Sequence, residues 1–397
     1  MTSSTSSTSS TSSTAEEQVT RLLADRTGTA PQDWFLVVKA RYGLQVVFSA
    51  LGAVRGPGEV VTQVFTCATA VDPVLVSGLR PVYAEVSPES VAIDPEGLQP
   101  PSAHAVMLQH TFGIVDEPRA RRLRAVADAA GALLVEDSAH CAARLARSAD
   151  GAPLADVSVH SFGVEKVLPT RFGGAVWVNP ALGEPAVRER IVSELGALPV
   201  VGGRLAALAR VNRTTVRALN RLPAGAASRV RSALTRVGAF EPPIAEVERR
   251  GGLAAAPTRP SAWMTAQVAA ALPALGANEA RRSAAVGAYL ATLAGRVQVP
   301  AAIDPDSPLL RFPFFAPDAA SADRVFAALA ASGARPGRWY RPALFPGPVD
   351  PRVYGYRPGD GSLRVTEDLV ARVVNLPTDV TPEQARATAA DVLSALG

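Results

Sequence analysis

Three separated segments of the 397-residue chain hold residue types suited to chemistry. In Leu133-Leu134-Val135-Glu136-Asp137-Ser138-Ala139-His140 an apolar run ends in two acids, with a histidine three residues past the second. Such a run predicts a strand, and in an open parallel sheet ligands gather at the carboxyl ends of strands. Asp137 stands at such an end, although Glu136 and Asp137 are equally suited to capping the turn that follows. In Val157-Ser158-Val159-His160-Ser161-Phe162-Gly163-Val164-Glu165-Lys166 a second strand runs into a turn, with a lysine five residues after Ser161, and Gly173-Gly174 then opens another apolar run. A lone loop lysine is ordinarily solvated charge. One framed by apolar strands loses its proton more readily and becomes a nucleophile. The third segment, Ala40-Arg41-Tyr42-Gly43-Leu44, leads into a helical pattern with Gly43 expected at its start. There, backbone N–H groups and the helix dipole favour an anion, but such a start is common.

The elements that must position these residues follow from hydrophobic patterning. Short apolar runs recur at Leu36–Lys39, Val60–Phe65, Pro81–Val86, Ala105–Leu108, Ala132–Glu136, Val157–Phe162 and Ala175–Val178. They are rich in β-branched residues and lack polar alternation, as strands buried on both faces do. Helical spacing separates several of them, notably at Leu44–Val54, Thr69–Ser77 and Pro118–Ala130. The pattern predicts an α/β fold, a doubly wound, largely parallel sheet between helical layers. A smaller α+β region follows, with a long helical run from Pro260 to Ala294, a strand at Leu309–Phe315, a helix at Ser321–Ala331 and a last helix from Pro382. Three regions are expected: a disordered Ser/Thr-rich tail at 1–14, a large domain at 15–258 and a small C-terminal domain at 259–397. Within the large domain, 184–240 is helical and Arg-rich, with eight arginines and no acid between Leu195 and Phe240. These are solvated helix faces, or they meet a phosphate-rich substrate or an anionic membrane surface.

Taken together, the segments supply what pyridoxal 5′-phosphate chemistry requires: a lysine amine, a carboxylate for the pyridine nitrogen, and hydroxyl and backbone donors for the phosphate. The chain resembles the DegT/StrS sugar aminotransferases of fold type I, in order over Arg41 to Val178 and more loosely beyond. The resemblance is carried by Gly56-Pro57-Gly58-Glu59-Val60-Val61, Val64-Phe65-Thr66-Cys67-Ala68-Thr69, Gly78-Leu79-Arg80-Pro81-Val82-Tyr83 and Gln109-His110-Thr111-Phe112-Gly113. Above all it rests on Glu136-Asp137-Ser138-Ala139-His140 and on Ser161-Phe162 with Lys166 and Gly173-Gly174. It implies a three-layer sandwich and a cofactor held by Lys166 as a Schiff base. By the same resemblance Asp137 pairs with the pyridine nitrogen and His140 lies near the ring's phenolic oxygen or face. Ser161 binds the phosphate, with the backbone around Tyr42 and Gly43 completing the cradle, and Cys67 takes the position over the ring. A homodimer is implied too, as is transfer of an amino group from glutamate or glutamine to a keto-sugar or related ketone. The chain departs from the family at Arg41-Tyr42-Gly43, at Cys67 where an aromatic is usual, and at Pro169-Thr170-Arg171-Phe172. Pro257, two residues before Arg259, stands where an asparagine from the partner subunit is expected.

Other readings keep the fold and change the outcome: an eliminating or dehydrating pyridoxal enzyme, or a cofactor-binding regulator. Retention of Lys166 argues against the family's dehydratases, which carry histidine there. His110 and His160 lie on strand-like runs and are expected to be structural. Arg338 and Arg341 are candidates for a diphosphate only if they converge with the other arginines. Composition is ordinary, 48% apolar and 19% charged with a net charge of +4, and neither finger spacing nor an aromatic-and-basic repeat supports nucleic acid. Cys67 and Cys141 are the only cysteines, too few for a disulfide framework or zinc cluster, and no metal is expected. With no apolar stretch of eighteen residues and no signal sequence, a cytoplasmic protein is expected.

Overall fold

A computed structural model of the chain describes residues 14–100 and 102–397. Residues 1–13 of the expected tail lie outside the described residues. Thr14 is the N-cap of α1 (Ala15–Thr27): its hydroxyl accepts from the Glu17 N–H while the Glu17 carboxylate accepts from the Thr14 N–H. That reciprocal pair stabilises the first turn.

All seven apolar runs become strands of one sheet. The chain continues through β1 (Trp34–Val37), α2 (Ala40–Arg55), β2 (Glu59–Thr62), α3 (Ala68–Val76), β3 (Arg80–Tyr83), β4 (Ala103–Gln109), α4 (Glu117–Ala129), β5 (Leu133–Ser138), β6 (Val157–Ser161) and β7 (Gly174–Val178). Strand order is β1-β7-β6-β5-β4-β2-β3, and β7 alone runs against its neighbours. Register sets Gln109 opposite Asp137 and Ser138 opposite His160, so the chemical residues share one end of the sheet. Successive residues of β5 face opposite sides. Val135 packs against α2 and against α5 (Pro185–Gly196), while Leu134 packs against α4 on the other face. The result is the three-layer α/β sandwich that the patterning predicts.

Two glycines let α2 lie close to the sheet. A Cβ on Gly43 would stand 2.5 Å from Val176 Cγ2, and one on Gly174 would stand 2.7 Å from the His160 carbonyl and 3.0 Å from the Ala40 nitrogen. Real Cβ atoms do not approach that closely, so both positions need glycine. The helix itself begins at Ala40, with Lys39 as N-cap, three residues before the start expected at Gly43. Gly43 therefore serves helix–sheet packing within the first turn.

The Arg-rich stretch forms α5, α6 (Gly203–Leu219) and α7 (Ala224–Arg236). Then α8 (Ala262–Ala271) packs through Val268 and Ala269 beside Val19, Leu23 and Trp34 of the large sheet's outer layer. The single long helix expected from Pro260 is broken at Leu272–Ala274, where Pro273 cannot donate a helical hydrogen bond. The chain resumes as α9 (Leu275–Leu293), β8 (Arg311–Phe315), α10 (Ala319–Ala331), α11 (Arg364–Arg372), β9 (Val373–Pro377) and α12 (Pro382–Leu396). β9, not expected from the sequence, pairs antiparallel with β8. Phe312, Phe314, Val374 and Leu376 join Val325 and Val392 in the core of this smaller unit, which also takes in Phe65 and Phe112 from the large sheet's loops.

Candidate active site

At the carboxyl end of β4, β5 and β6 lies a cavity of about 290 Å³. Cys67, Asp137, His140, Ser161 and Lys166 all line it. Tyr42 and Gly43 do not: the Tyr42 ring is buried among Val38, Phe172, Ala209 and Met264, and Lys39, Ala40 and Arg41 form the wall at the start of α2. The start of α2 thus lines the cavity, but through residues just before the Tyr42 and Gly43 that the sequence singles out.

The Asp137 carboxylate is held at both oxygens. Oδ1 accepts from the Ala139 N–H at 3.0 Å and Oδ2 from the Gln109 side-chain amide at 2.9 Å. The same Gln109 nitrogen donates to Thr66 Oγ1 at 2.8 Å, tying the carboxylate to the loop before α3. Donors fixed in this way keep the carboxylate aimed. The Ala139 contact is also the turn-capping bond that an acid makes after a strand, so Asp137 caps its turn while its carboxylate lines the cavity.

Lys166 sits in a loop where Glu165 and Arg171 adopt left-handed φ of 60° and 75°. Such angles are uncommon for residues with a side chain and cost about 1–2 kcal/mol each. The Lys166 amine lies 5.8 Å from the centre of the Trp339 ring. Burial pushes its pKa below the ordinary lysine value, with the charges of Asp137 and Cys67 working against that shift. The uncharged, nucleophilic amine is therefore more accessible than on a surface lysine.

His140 is buried and neutral. Burial, then the charge of Lys166, hold its pKa well below the ordinary histidine value. Its Nδ1 accepts from the Phe112 N–H at 3.0 Å, which assigns the ring proton to Nε2, 3.2 Å from the Tyr340 hydroxyl. That hydroxyl can accept from His140 while its own proton stays free for the cavity. The imidazole also stacks on Trp339 at 5.3 Å between centroids and 14° between planes. The Ser161 hydroxyl accepts from the Gly163 N–H at 3.4 Å, leaving its proton to donate.

Sequence reasoning missed Trp339, Tyr340 and Phe345, which close the cavity from the smaller unit's side. Two adjacent large aromatics in a chain only 6% aromatic were the available signal. It also missed Gln109 as a partner of Asp137. Arg338 and Arg341 turn elsewhere: Arg338 covers the Phe326 ring at 3.9 Å, and Arg341 pairs with Asp323 at 3.0 Å.

Beneath the cavity floor, His110 Nε2 meets Glu136 Oε1 at 2.8 Å, and that oxygen also accepts from the Ala146 N–H at 2.6 Å. Burial opposes the Glu136 charge, but His110, Ala146 and Ser158 overcome it and hold the carboxyl below its ordinary range. His160 packs at 5.1 Å from Trp34, and burial lowers its pKa to about 4. An unfolded chain protonates this histidine near pH 6.5 and the folded one near pH 4. Stability from His160 is therefore complete above pH 6.5 and falls with pH down to about 4. The loss is about 1.4 kcal/mol per unit, or roughly 2 kcal/mol at pH 5. Urea unfolding at pH 7 and pH 5 should show a smaller drop for His160→Gln than for the wild type; equal drops would refute it.

The fold and the cavity define a three-layer protein of the fold type I class. Residues 37–196, which supply the strand ends, α2 and Lys166, match the model of the DegT/DnrJ/EryC1/StrS aminotransferase family. GDP-perosamine synthase of Vibrio cholerae is 30% identical over 139 residues, 34% of this chain and 37% of that protein. UDP-2-acetamido-2-deoxy-3-oxo-D-glucuronate aminotransferase of Pseudomonas aeruginosa is 30% identical over 151 residues, 37% of this chain and 41% of that protein. The matches thus span about two fifths of these curated relatives. The likeness of fold extends further: NtdA of Bacillus subtilis, solved with bound cofactor PMP, superposes with a TM-score of 0.68 at 17% identity, covering 97% of this chain and 78% of that one. Among the described residues no helix is long and apolar enough to cross a membrane, and no group of three or more metal-ligating side chains occurs.

Proposed function

We propose that the chain is a pyridoxal 5′-phosphate-dependent aminotransferase that passes an amino group from glutamate or glutamine to a nucleotide-linked keto-sugar. The observation that carries this reading is the opening of the Lys166 amine and the doubly anchored Asp137 carboxylate onto one cavity, beneath the stacked rings of His140 and Trp339. The donor set fits the cofactor. Ser161, with its free hydroxyl proton, and the start of α2 suit a phosphate. Asp137 suits a protonated ring nitrogen. The amide oxygen of Gln109, buried without a protein partner, is one more acceptor at the cavity.

Bound there, pyridoxal phosphate would supply the electron sink that amino transfer needs. The chain's own residues do the rest. Lys166 provides covalent attachment and, once released, a base that carries a proton at Nζ. Asp137 keeps the ring nitrogen charged, and Gln109 and the Ala139 N–H keep Asp137 in place. His140, held neutral, offers a flat face without adding charge. The named activities of the Vibrio and Pseudomonas relatives support a sugar acceptor.

The test is a single half-reaction. Glutamate or glutamine alone, with no acceptor present, should release one equivalent of 2-keto acid per bound cofactor and no more. If no common amino acid does this, the eliminating reading takes its place.

A further inference from the structure

Arg171 is the cavity's unneutralised guanidinium. Lys39 and Arg41, which also line the wall, have carboxylate partners: Lys39 meets Glu241 at 2.7 Å and Arg41 meets Glu248 at 2.6 Å. Among the described residues Arg171 has no such partner, and its NH1 donates only to the neutral Oδ1 of Asn212 at 2.9 Å. Asn212 belongs to α6, is 6% exposed and lines the same cavity, and its amide nitrogen donates to no protein group among the described residues. An amide and a guanidinium held to each other on the cavity wall leave donors facing the cavity with no protein acceptor among the described residues.

The surroundings add charge of the same sign. Arg210, Arg213, Arg217 and Arg221 follow at spacings of three, four and four, which sets them along one face of α6 and just beyond it. None of them makes an ion pair with a described residue, and no acid occurs between Leu195 and Phe240. Burial, then the charges of Arg213 and Arg217, hold the Arg171 guanidinium below its ordinary pKa. Like charges gathered without a counter-charge oppose folding, unless a ligand brings the missing anion. Several convergent guanidiniums fit a phosphate, with its multiple oxygens and up to two negative charges, better than a single carboxylate.

We propose that Arg171 and Asn212 form a phosphate-binding subsite on the cavity wall, assembled by α6 and the loop after Lys166, with the exposed Arg213 and Arg217 of α6 adding positive charge from outside the cavity. The phosphate comes either from the cofactor or from a nucleoside diphosphate acceptor, and the second source rests on the aminotransferase reading given above.

Binding to the full-length protein separates the sources without any turnover. The probes are UDP, GDP, pyridoxal 5′-phosphate and pyridoxal, which lacks the phosphate. The variants are Arg171→Gln and the double Arg213→Gln/Arg217→Gln, with Arg171→Lys retaining charge but not the planar fork. The last two change exposed or charge-conserved positions, so folding, checked by circular dichroism, does not depend on them. The expected result is a rise in Kd of about tenfold or more for at least one phosphorylated probe, partly restored in Arg171→Lys, with pyridoxal unchanged. Loss confined to UDP and GDP assigns the subsite to the acceptor, and loss confined to pyridoxal phosphate assigns it to the cofactor. Changes below twofold for every phosphorylated probe, or an equal loss for pyridoxal, would overturn the subsite. A protein that binds these probes through Arg171 yet fails to transfer an amine would refute the aminotransferase reading and leave the subsite standing.

Discussion

Lys166→Ala should bind pyridoxal phosphate without the covalent link and should lose amino transfer by about 10⁴-fold or more, because no other group replaces both nucleophile and proton carrier. In the wild type, borohydride should fix the cofactor to one peptide, the one that contains Lys166. The fold should survive the substitution. The side chain makes no ion pair among the described residues and projects from a loop outside the sheet core. Absorbance, reduction and peptide mapping on one preparation decide the matter. Cofactor fixed to a different lysine, or undiminished turnover in the variant, would remove the foundation of the proposed chemistry.

Asp137→Asn should leave the cofactor bound and lower turnover by about 10²-fold, close to 3 kcal/mol of barrier. Asparagine keeps the size and can still accept from the Ala139 N–H, so the turn-capping part of its role is preserved. The variant cannot hold a ring nitrogen in its protonated form by charge. Gln109 would then face an amide in place of a carboxylate, losing a charge-assisted hydrogen bond. A decrease in kcat with an intact unfolding midpoint is the expected pattern. Near-normal turnover would reduce Asp137 to a capping residue.

The sheet was legible because strands buried on both faces write themselves as continuous apolar runs, and even the edge strand β3, only partly buried, falls in one. Asp137, His140, Ser161 and Lys166 were legible for a related reason. Each lies at the end of a strand or in the turn after one, so local sequence and topology fix its place together. The start of α2 was read three residues late, since Gly43 looked like a helix opener when its lack of a Cβ serves contact with Val176. No local pattern reveals a partner more than a hundred residues away. Trp339 and Tyr340 reach His140 only through the docking of the smaller unit on the large sheet. Asn212 meets Arg171 across 41 residues, through the placement of α6. β9 escaped notice because Val373-Val374-Asn375-Leu376-Pro377 directly follows a helix and ends in proline, signals that favour a loop.

None of the described side chains of α7 is buried, while every residue of β6 is. The exposed α7 and the buried β6 beside the cavity are therefore open to mutation at very different cost. Exchanges along α7 and the outer face of α6 alter stability by about 0.5 kcal/mol or less, whereas truncating a valine-sized or larger core residue under Lys166 costs about 1–5 kcal/mol. Drift can accordingly rewrite the arginine-bearing hairpin and leave the bond-making residues untouched. Acceptor preference, if it resides in that hairpin, can diverge between lineages faster than the reaction itself.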